Sequence, residues 1–197
     1  GPEDDVTGAF IALSDAVGAP TRLEVEGLLH ERMEYELATG PLNAEAIGRA
    51  INKFMLDGTI ISDESGTAGA GQYPISAGAV PHDCLFLTGG SIGQGLPVAL
   101  GAAIACPGRK VLSLEADGSA MQTLQALWSI ARERCDVTVI IFSNRQYGIL
   151  IRSMGQYGIS GLPNRVPDLF DLSNPDINWA QLADGMGVEG HVCDTAD

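Results

Sequence analysis

Asp117-Gly118-Ser119 stands between the run Lys110 to Glu115, which reads as a strand, and a helical pattern from Ala120 to Glu133. A carboxylate, a glycine that allows close backbone approach and free N–H groups would meet there at a positive helix end. Such a strand end should face solvent. The geometry suits a diphosphate held with a metal ion. Mg²⁺ takes octahedral oxygen coordination, usually from one or two protein side chains plus phosphate and water, and Asp117 with Asn144 would supply it. Taken singly, Asp117 reads equally as a helix cap and Asn144 as a turn residue.

Two further blocks have the composition of ligand loops. Gly89-Gly90-Ser91-Ile92-Gly93-Gln94-Gly95-Leu96-Pro97 follows a short strand candidate and opens a helix of small residues. It lacks the GxGxxG order, which argues against a nicotinamide or flavin dinucleotide fold. Glycines for tight strand-to-helix packing would explain it as well. The other block, Glu64 to Gly71, follows Thr59-Ile60-Ile61-Ser62-Asp63. Glu64 and Glu115 are accounted for by the loop and the strand in which they sit. The histidines are isolated: His30 lies in a charged flank, His191 in an expected last strand, and His82 before the strand that leads to the glycine loop, where it is a candidate near a substrate. Tyr147 and Trp128 read as packing residues, and Arg145 and Arg152 as surface charges.

The elements that must position these residues alternate. Asn43 is the expected N-cap of a helix carrying Glu45 in its first turn and Ile47, Ile51 and Phe54 at helical spacing up to Gly58. Strands follow at 59–63, 84–87, 110–115 and 137–142, with helices up to Cys106 and from Ala120 to Glu133. Val137 to Phe142 is a continuous apolar run typical of a parallel strand buried on both faces. Residues 151–175 read as an irregular loop over the site, followed by a helix from Trp179 to Met186 and a last strand near His191. Alternation of this kind implies right-handed crossovers and an α/β fold, a parallel sheet with helices on both faces. In such sheets ligands bind beyond the carboxyl ends of the strands, where the segments starting at Glu64, Gly89, Asp117 and Asn144 all fall.

Residues 1–40 are expected to be a flank: Gly1-Pro2 resembles a protease scar, Phe10, Ile11, Leu13 and Val17 mark a short helix, and Glu24 to Glu36 is a charged run. The domain is expected over 41–197. Hydrophobic residues make up 45% and charged residues 18%, with 25 glycines, which fits a packed α/β enzyme. Eleven basic against 25 acidic residues give a net charge of −14, so nucleic acid and an anionic membrane surface are set aside as partners. Four spaced cysteines without a CxxC pair point to neither zinc nor a disulfide framework, and a reducing, cytoplasmic setting is expected.

The 27 residues from Asp117 to Asn144, with one helix and one strand between, resemble the Gly-Asp-Gly to Asn-Asn signature of thiamine-diphosphate (ThDP) enzymes. Ala116 replaces the first Gly and Ser143 the first Asn. Segments such as Ala116-Asp117-Gly118-Ser119-Ala120-Met121 and Leu124-Gln125-Ala126-Leu127-Trp128 look most like the acetolactate synthase and benzoylformate decarboxylase branch. The resemblance implies two cofactors, thiamine diphosphate and Mg²⁺, with Asp117, Asn144 and the carbonyl of Gln146 as metal ligands. It implies diphosphate contacts from Ser65, Gly66, Thr67, Gly118 and Ser119. The Gly90 carbonyl would accept from the aminopyrimidine, Ile92 would hold the cofactor bent, and Ile149 would touch its rings. Leu150 stands where the pyruvate decarboxylase branch keeps a glutamate, which disfavours that branch.

In this family a Glu from a separate pyrimidine-binding domain activates the cofactor. No such domain is recognisable here, so the chain is expected to be the diphosphate- and Mg²⁺-binding part of a 2-oxo acid decarboxylase or carboligase, with no catalytic acid of its own. It would need a pyrimidine-binding domain or subunit as partner, a homo-oligomer in the full enzyme and a small 2-oxo acid as substrate. The chain also stops where relatives continue into another helix and strand, so truncation at the C-terminus is expected. A noncatalytic module of the same fold, or a Mg²⁺-nucleotide-binding domain, are the alternatives.

Overall fold

A computed structural model describes residues 5–20, 30–159 and 167–197. Gly1-Pro2, expected as a scar, residues 24–29 of the charged run and residues 160–166 of the expected loop lie outside them. The chain separates into two compact units, Gly1–Glu31 and Arg32–Asp197. In the smaller, helix α1 (Val6–Ala16) is capped by Asp5, whose carboxylate accepts from Gly8 N at 2.8 Å. Phe10, Ile11 and Leu13 are exposed on it.

The larger unit carries the site. Its first helix, α2 (Ala44–Phe54), starts at Asn43, whose side chain accepts from Ala46 N at 2.9 Å. Glu45 in the first turn and Lys53 in the last complement the helix dipole. The segment before it belongs to the same unit. The Arg32 guanidinium donates to Asn52 Oδ1 at 3.2 Å and to the Gly78 carbonyl at 3.1 Å.

Four parallel strands, β1 (Ile60–Glu64), β2 (Asp83–Phe86), β3 (Val111–Ala116) and β4 (Val137–Phe142), form a sheet in the order β2-β1-β3-β4. Side chains alternate across it. Ile61, Leu112, Leu114 and Phe142 pack with Ile51 and Met55 of α2 on one face. On the other, Ile60 and Val111 meet Ala99 of α5 (Gly95–Ala105), while Leu96 packs with Ala126 and Leu127 of α7 (Ala126–Arg132). Helices therefore cover both faces. No helix among the described residues is long and apolar enough to cross a membrane.

Several local expectations are corrected. The stretch after Glu64 is a chain of short helices, α3 (Gly66–Gly69), a 3₁₀ turn (Ala70–Gln72) and α4 (Tyr73–Ser76), because Ser65 and the residues after it close local turns. Asp117–Ala120 is itself a one-turn helix, α6, and residues 121–125 form turns before α7 begins. Strand β4 pairs only with β3 among the described residues, and its residues are mostly half-buried rather than enclosed on both sides. The expected loop from 151 starts inside α8 (Gly148–Gln156). Around His191 there is no strand. After α9 (Trp179–Gly185) the chain runs irregularly to a single antiparallel bridge between Pro41 and Thr195.

Asn43→Ala removes the N-cap acceptor of α2 and is expected to cost about 1 kcal/mol. Urea denaturation, with an unchanged m-value, checks it.

Candidate functional site

All four strands run the same way, so their carboxyl ends, at Glu64, Phe86, Ala116 and Phe142, share one edge. At that edge Asp117 is buried, only 1% exposed, and not at a solvent-facing end as its position suggests. The segment after β4 folds over it. Asp117 Oδ2 accepts from Arg145 N at 2.6 Å and Oδ1 from Gly118 N at 2.8 Å, with the Ser143 hydroxyl 3.5 Å from Oδ2. Burial raises the Asp117 pKa above the ordinary carboxylate value, and these donors pull it back only in part. A divalent cation would relieve such a charge. Ala116 is extended (φ −76°), so nothing there demands glycine, and Ser143 supplies a donor to the same carboxylate.

The loop after β4 is held from both sides. Arg145 adopts a left-handed φ of 57°, unusual for a side chain of its size. The Arg145 carbonyl accepts from Leu172 N at 2.9 Å, and Tyr147 N donates to Phe170 O at 2.8 Å. The Gln146 carbonyl points away from that bridge and accepts from Gly148 N at 2.9 Å, leaving one lone pair. Asn144 is exposed, and its Oδ1 accepts from Gln146 N at 3.1 Å. A Cβ on Gly148 would lie 3.3 Å from both Asn144 Nδ2 and Thr67 Oγ1, so the loops after β1 and β4 meet there. Among the described residues no three His, Cys, Asp or Glu side chains cluster, so a cation here needs amide, carbonyl and phosphate oxygens beside Asp117.

The diphosphate candidates divide. Ser65 is fully buried, and its hydroxyl donates to Asp63 Oδ1 at 2.7 Å, turned into the domain. Gly66, left-handed at φ +56°, and Thr67 are exposed beside it. Gly118 and Ser119 lie buried in α6, and a Cβ on Gly118 would come 2.5 Å from the Tyr147 ring. Gly89 and Gly90 are left-handed at +65° and +70°, with open space where a Cβ would be. Ile92 is 46% exposed, and Ile149, Leu150, Phe86 and Leu85 add apolar surface at or near the same edge. His82 is elsewhere. It precedes β2 at the amino edge of the sheet, with Nδ1 2.8 Å from the Val80 carbonyl. His191 is exposed beside Glu189.

Behind the edge lies a pair of acids that sequence reasoning passed over. Glu64 and Glu115 are neighbours in the β1–β3 register, both buried. Glu64 Oε1 and Oε2 accept from Gly93 N and Gly95 N at 2.6 and 2.7 Å. Ser113 Oγ donates to Glu115 Oε1 at 2.6 Å. Burial pushes the Glu115 pKa up to about 8; the Ser113 hydroxyl lowers it and the adjacent Glu64 raises it. A signal existed: Ser113 and Glu115 stand at alternate positions in the otherwise apolar run Val111 to Ala116.

This shift has a sign. An acid raised from 4.5 to about 8 costs no stability below its unfolded value, because it is protonated in both states. The cost grows as pH rises from 4.5 towards 8, where only the unfolded chain ionises, and is constant above that. Glu115→Gln, which mimics the protonated acid, is therefore expected to match the metal-free wild type near pH 4.5 and exceed it increasingly up to pH 8. Urea midpoints across that range check it.

Comparisons with known proteins identify the family of the chain. The family model described as thiamine pyrophosphate enzyme, C-terminal TPP binding domain, matches residues 69–197. A Mycobacterium tuberculosis protein named "Putative acetolactate synthase large subunit IlvX" is 40% identical over 190 residues, 96% of this chain and 36% of its own length. Benzoylformate decarboxylase of Pseudomonas aeruginosa is 31% identical over 177 residues, 90% of this chain and 30% of the relative. Among solved structures, the thiamine diphosphate-dependent 4-hydroxybenzoylformate decarboxylase of Rhodococcus jostii superposes with a TM-score of 0.69 at 29% identity, covering 85% of this chain and 30% of that one. The chain thus spans about a third of the length of the relatives it matches. With an α/β sheet whose carboxyl edge gathers a buried aspartate, an asparagine loop and left-handed glycines, the chain belongs to the thiamine pyrophosphate enzymes, as their C-terminal TPP-binding domain.

Proposed function

We propose that this chain binds the diphosphate half of thiamine diphosphate through Mg²⁺ and serves a 2-oxo acid decarboxylase or carboligase of the acetolactate synthase and benzoylformate decarboxylase kind. The observation that carries the reading is the buried Asp117 carboxylate, capped by the N–H of the residue next to Asn144. Asp117, the Asn144 side chain and the Gln146 carbonyl would hold the cation, with phosphate and water completing its shell. The Gly66 and Thr67 turn and the start of α6 would receive the diphosphate. Ser65 supports that turn from within, through Asp63. The Gly90 carbonyl would orient the aminopyrimidine, and Ile92 and Ile149 would flank the rings. Bound, the cofactor supplies carbanion chemistry at its thiazolium ring.

In this reading the chain's own residues bind and orient the cofactor, and the proton on the aminopyrimidine is moved by a group from elsewhere. That role falls to a glutamate on a pyrimidine-binding domain, from the same gene or another. Its docking would cover the exposed Ile92 and the apolar surface nearby. A homo-oligomer and a cytoplasmic setting complete the reading.

Calorimetry tests the cofactor site. The wild-type chain is expected to bind ThDP only with Mg²⁺, and both Asp117→Asn and Asn144→Ala to abolish that binding while far-UV circular dichroism is unchanged. Asn144→Ala matters most, because Asn144 is exposed and makes only one local hydrogen bond among the described residues. Unchanged affinity in it, or binding of ATP or NAD in place of ThDP, would overturn the assignment.

The isolated 197-residue chain, saturated with ThDP and Mg²⁺, is expected to show no turnover of pyruvate or benzoylformate, since a positioned acid or base is worth about 10²–10⁴-fold. Adding a pyrimidine-binding domain should restore it. Robust turnover by the chain alone would mean that one of its own residues replaces the missing glutamate.

A further inference from the structure

Glu64 closes β1, is 2% exposed, and spends both carboxylate oxygens on main-chain N–H groups 29 and 31 residues away, at Gly93 and Gly95. The carbonyls of the same two glycines are held as well. Thr123 Oγ1 donates to Gly93 O at 2.8 Å, and Ser62 Oγ to Gly95 O at 2.9 Å. All four main-chain polar groups of the two glycines are thus bonded to side chains from other parts of the chain. The approach is possible because neither residue has a side chain. A Cβ on Gly95 would lie 2.2 Å from Glu115 Oε1, and one on Gly93, at φ +99°, would lie 2.7 Å from Gln122 Cβ.

The segment just before this anchor is held differently. Gly89 to Ile92 is exposed, and at its upstream end Gln94 bridges the Thr88 N–H and the Phe86 carbonyl from the surface. At its downstream end it runs into the two glycines held by Glu64, Thr123 and Ser62. The main chain of Glu64 leads directly into Gly66 and Thr67. One carboxylate therefore sits between the turn that would receive the diphosphate and the loop that would meet the aminopyrimidine. Two main-chain N–H groups on one carboxyl at 2.6 and 2.7 Å make a short two-point anchor, and one of them is a first-turn donor of α5 that the helix itself leaves free.

We propose that Glu64 is a positioning residue of the cofactor site: through Gly93 and Gly95 it fixes the Gly90 carbonyl and the Ile92 side chain relative to the Gly66–Thr67 turn. This rests on the reading of the site given under Proposed function. Glutamine cannot replace it, because its amide would turn an NH₂ towards one of the two N–H groups. Aspartate is one methylene too short to span both.

The test compares two ligands on the whole chain. Inorganic diphosphate with Mg²⁺ reaches only the metal loop, α6 and the Gly66–Thr67 turn; ThDP also needs Gly90 and Ile92. In Glu64→Gln, ThDP affinity is expected to fall about tenfold or more, as loss of a charge-assisted hydrogen bond implies, while Mg²⁺-diphosphate affinity stays within about threefold, since β1 still carries its turn. The Gly93 and Gly95 amide resonances should move in ¹⁵N spectra, with smaller movements at Gly90 and Ile92. Thr123→Val, which removes only the bond to Gly93 O, should give the same pattern more weakly, and it decides the matter if Glu64→Gln does not fold. Equal losses for both ligands would reduce Glu64 to a general structural role and overturn the proposal, as would unchanged ThDP affinity with unmoved glycine amides. If the wild type binds no ThDP, the reading of function fails, while the Gly90 and Ile92 resonances of Glu64→Gln still test the anchor: movement supports it, none overturns it.

Discussion

The architecture of the carboxyl edge depends on how two acids come to lie side by side in a dry layer. Parallel register sets Glu64 opposite Glu115, on the sheet face beneath the start of α5. Two charges there would repel at short range with little water to screen them. The arrangement is stable because the two divide the work. Glu64 faces the N-terminal end of α5 and takes two N–H donors, while Glu115 has a hydroxyl for a partner and is held towards its neutral form. Ser62 and Ser113, in place of the aliphatic residues usual at the centre of a parallel sheet, complete the polar layer. Apolar packing continues beside this layer, where Ile60 and Val111 meet Ala99 of α5, and covers the opposite face between α2 and the same strands.

An acidic chain that binds an anion must do so locally. What this edge offers for that is backbone groups rather than basic side chains: left-handed glycines after β1 and β2, and the one-turn helix after β3. Asp117 joins two of these loops. By accepting from Arg145 N it fixes how far the segment after β4 can stand from the end of β3, and residues 170–172 hold that segment from outside. The left-handed backbone of Arg145 is thus held by hydrogen bonds on both sides.

Much of this was legible in the sequence because buried parallel strands declare themselves as apolar runs. All four strands fall within a residue or so of their expected places, and Asn43 caps the helix it was expected to cap. The glycine-rich stretches were harder. Composition marks Glu64 to Gly71 as a loop, yet Ser65 folds back on Asp63 and the chain continues into short helices. Gly148 and Gly155 likewise disguise α8. The role of β4 was misjudged because an apolar strand looks the same in a sheet centre and at an edge whose far side has no described partner. The acid pair was missed for a different reason: Glu64 and Glu115 lie 51 residues apart in the chain, and only the register brings them together. Burial of the Ser65 hydroxyl is equally a matter of direction, which spacing does not encode.

Gly95 and Glu115 occupy one volume: the space a methyl group would need at the first position is filled by the carboxyl at the second. The two sites therefore cannot drift independently. As long as a glutamate stands at 115, a side chain at 95 must displace its carboxyl, whereas a lineage that first exchanges the glutamate for something shorter opens room for alanine at the start of α5. The order of substitutions is thereby constrained, and the pair should vary together among descendants of this domain although neither residue touches the ligand edge.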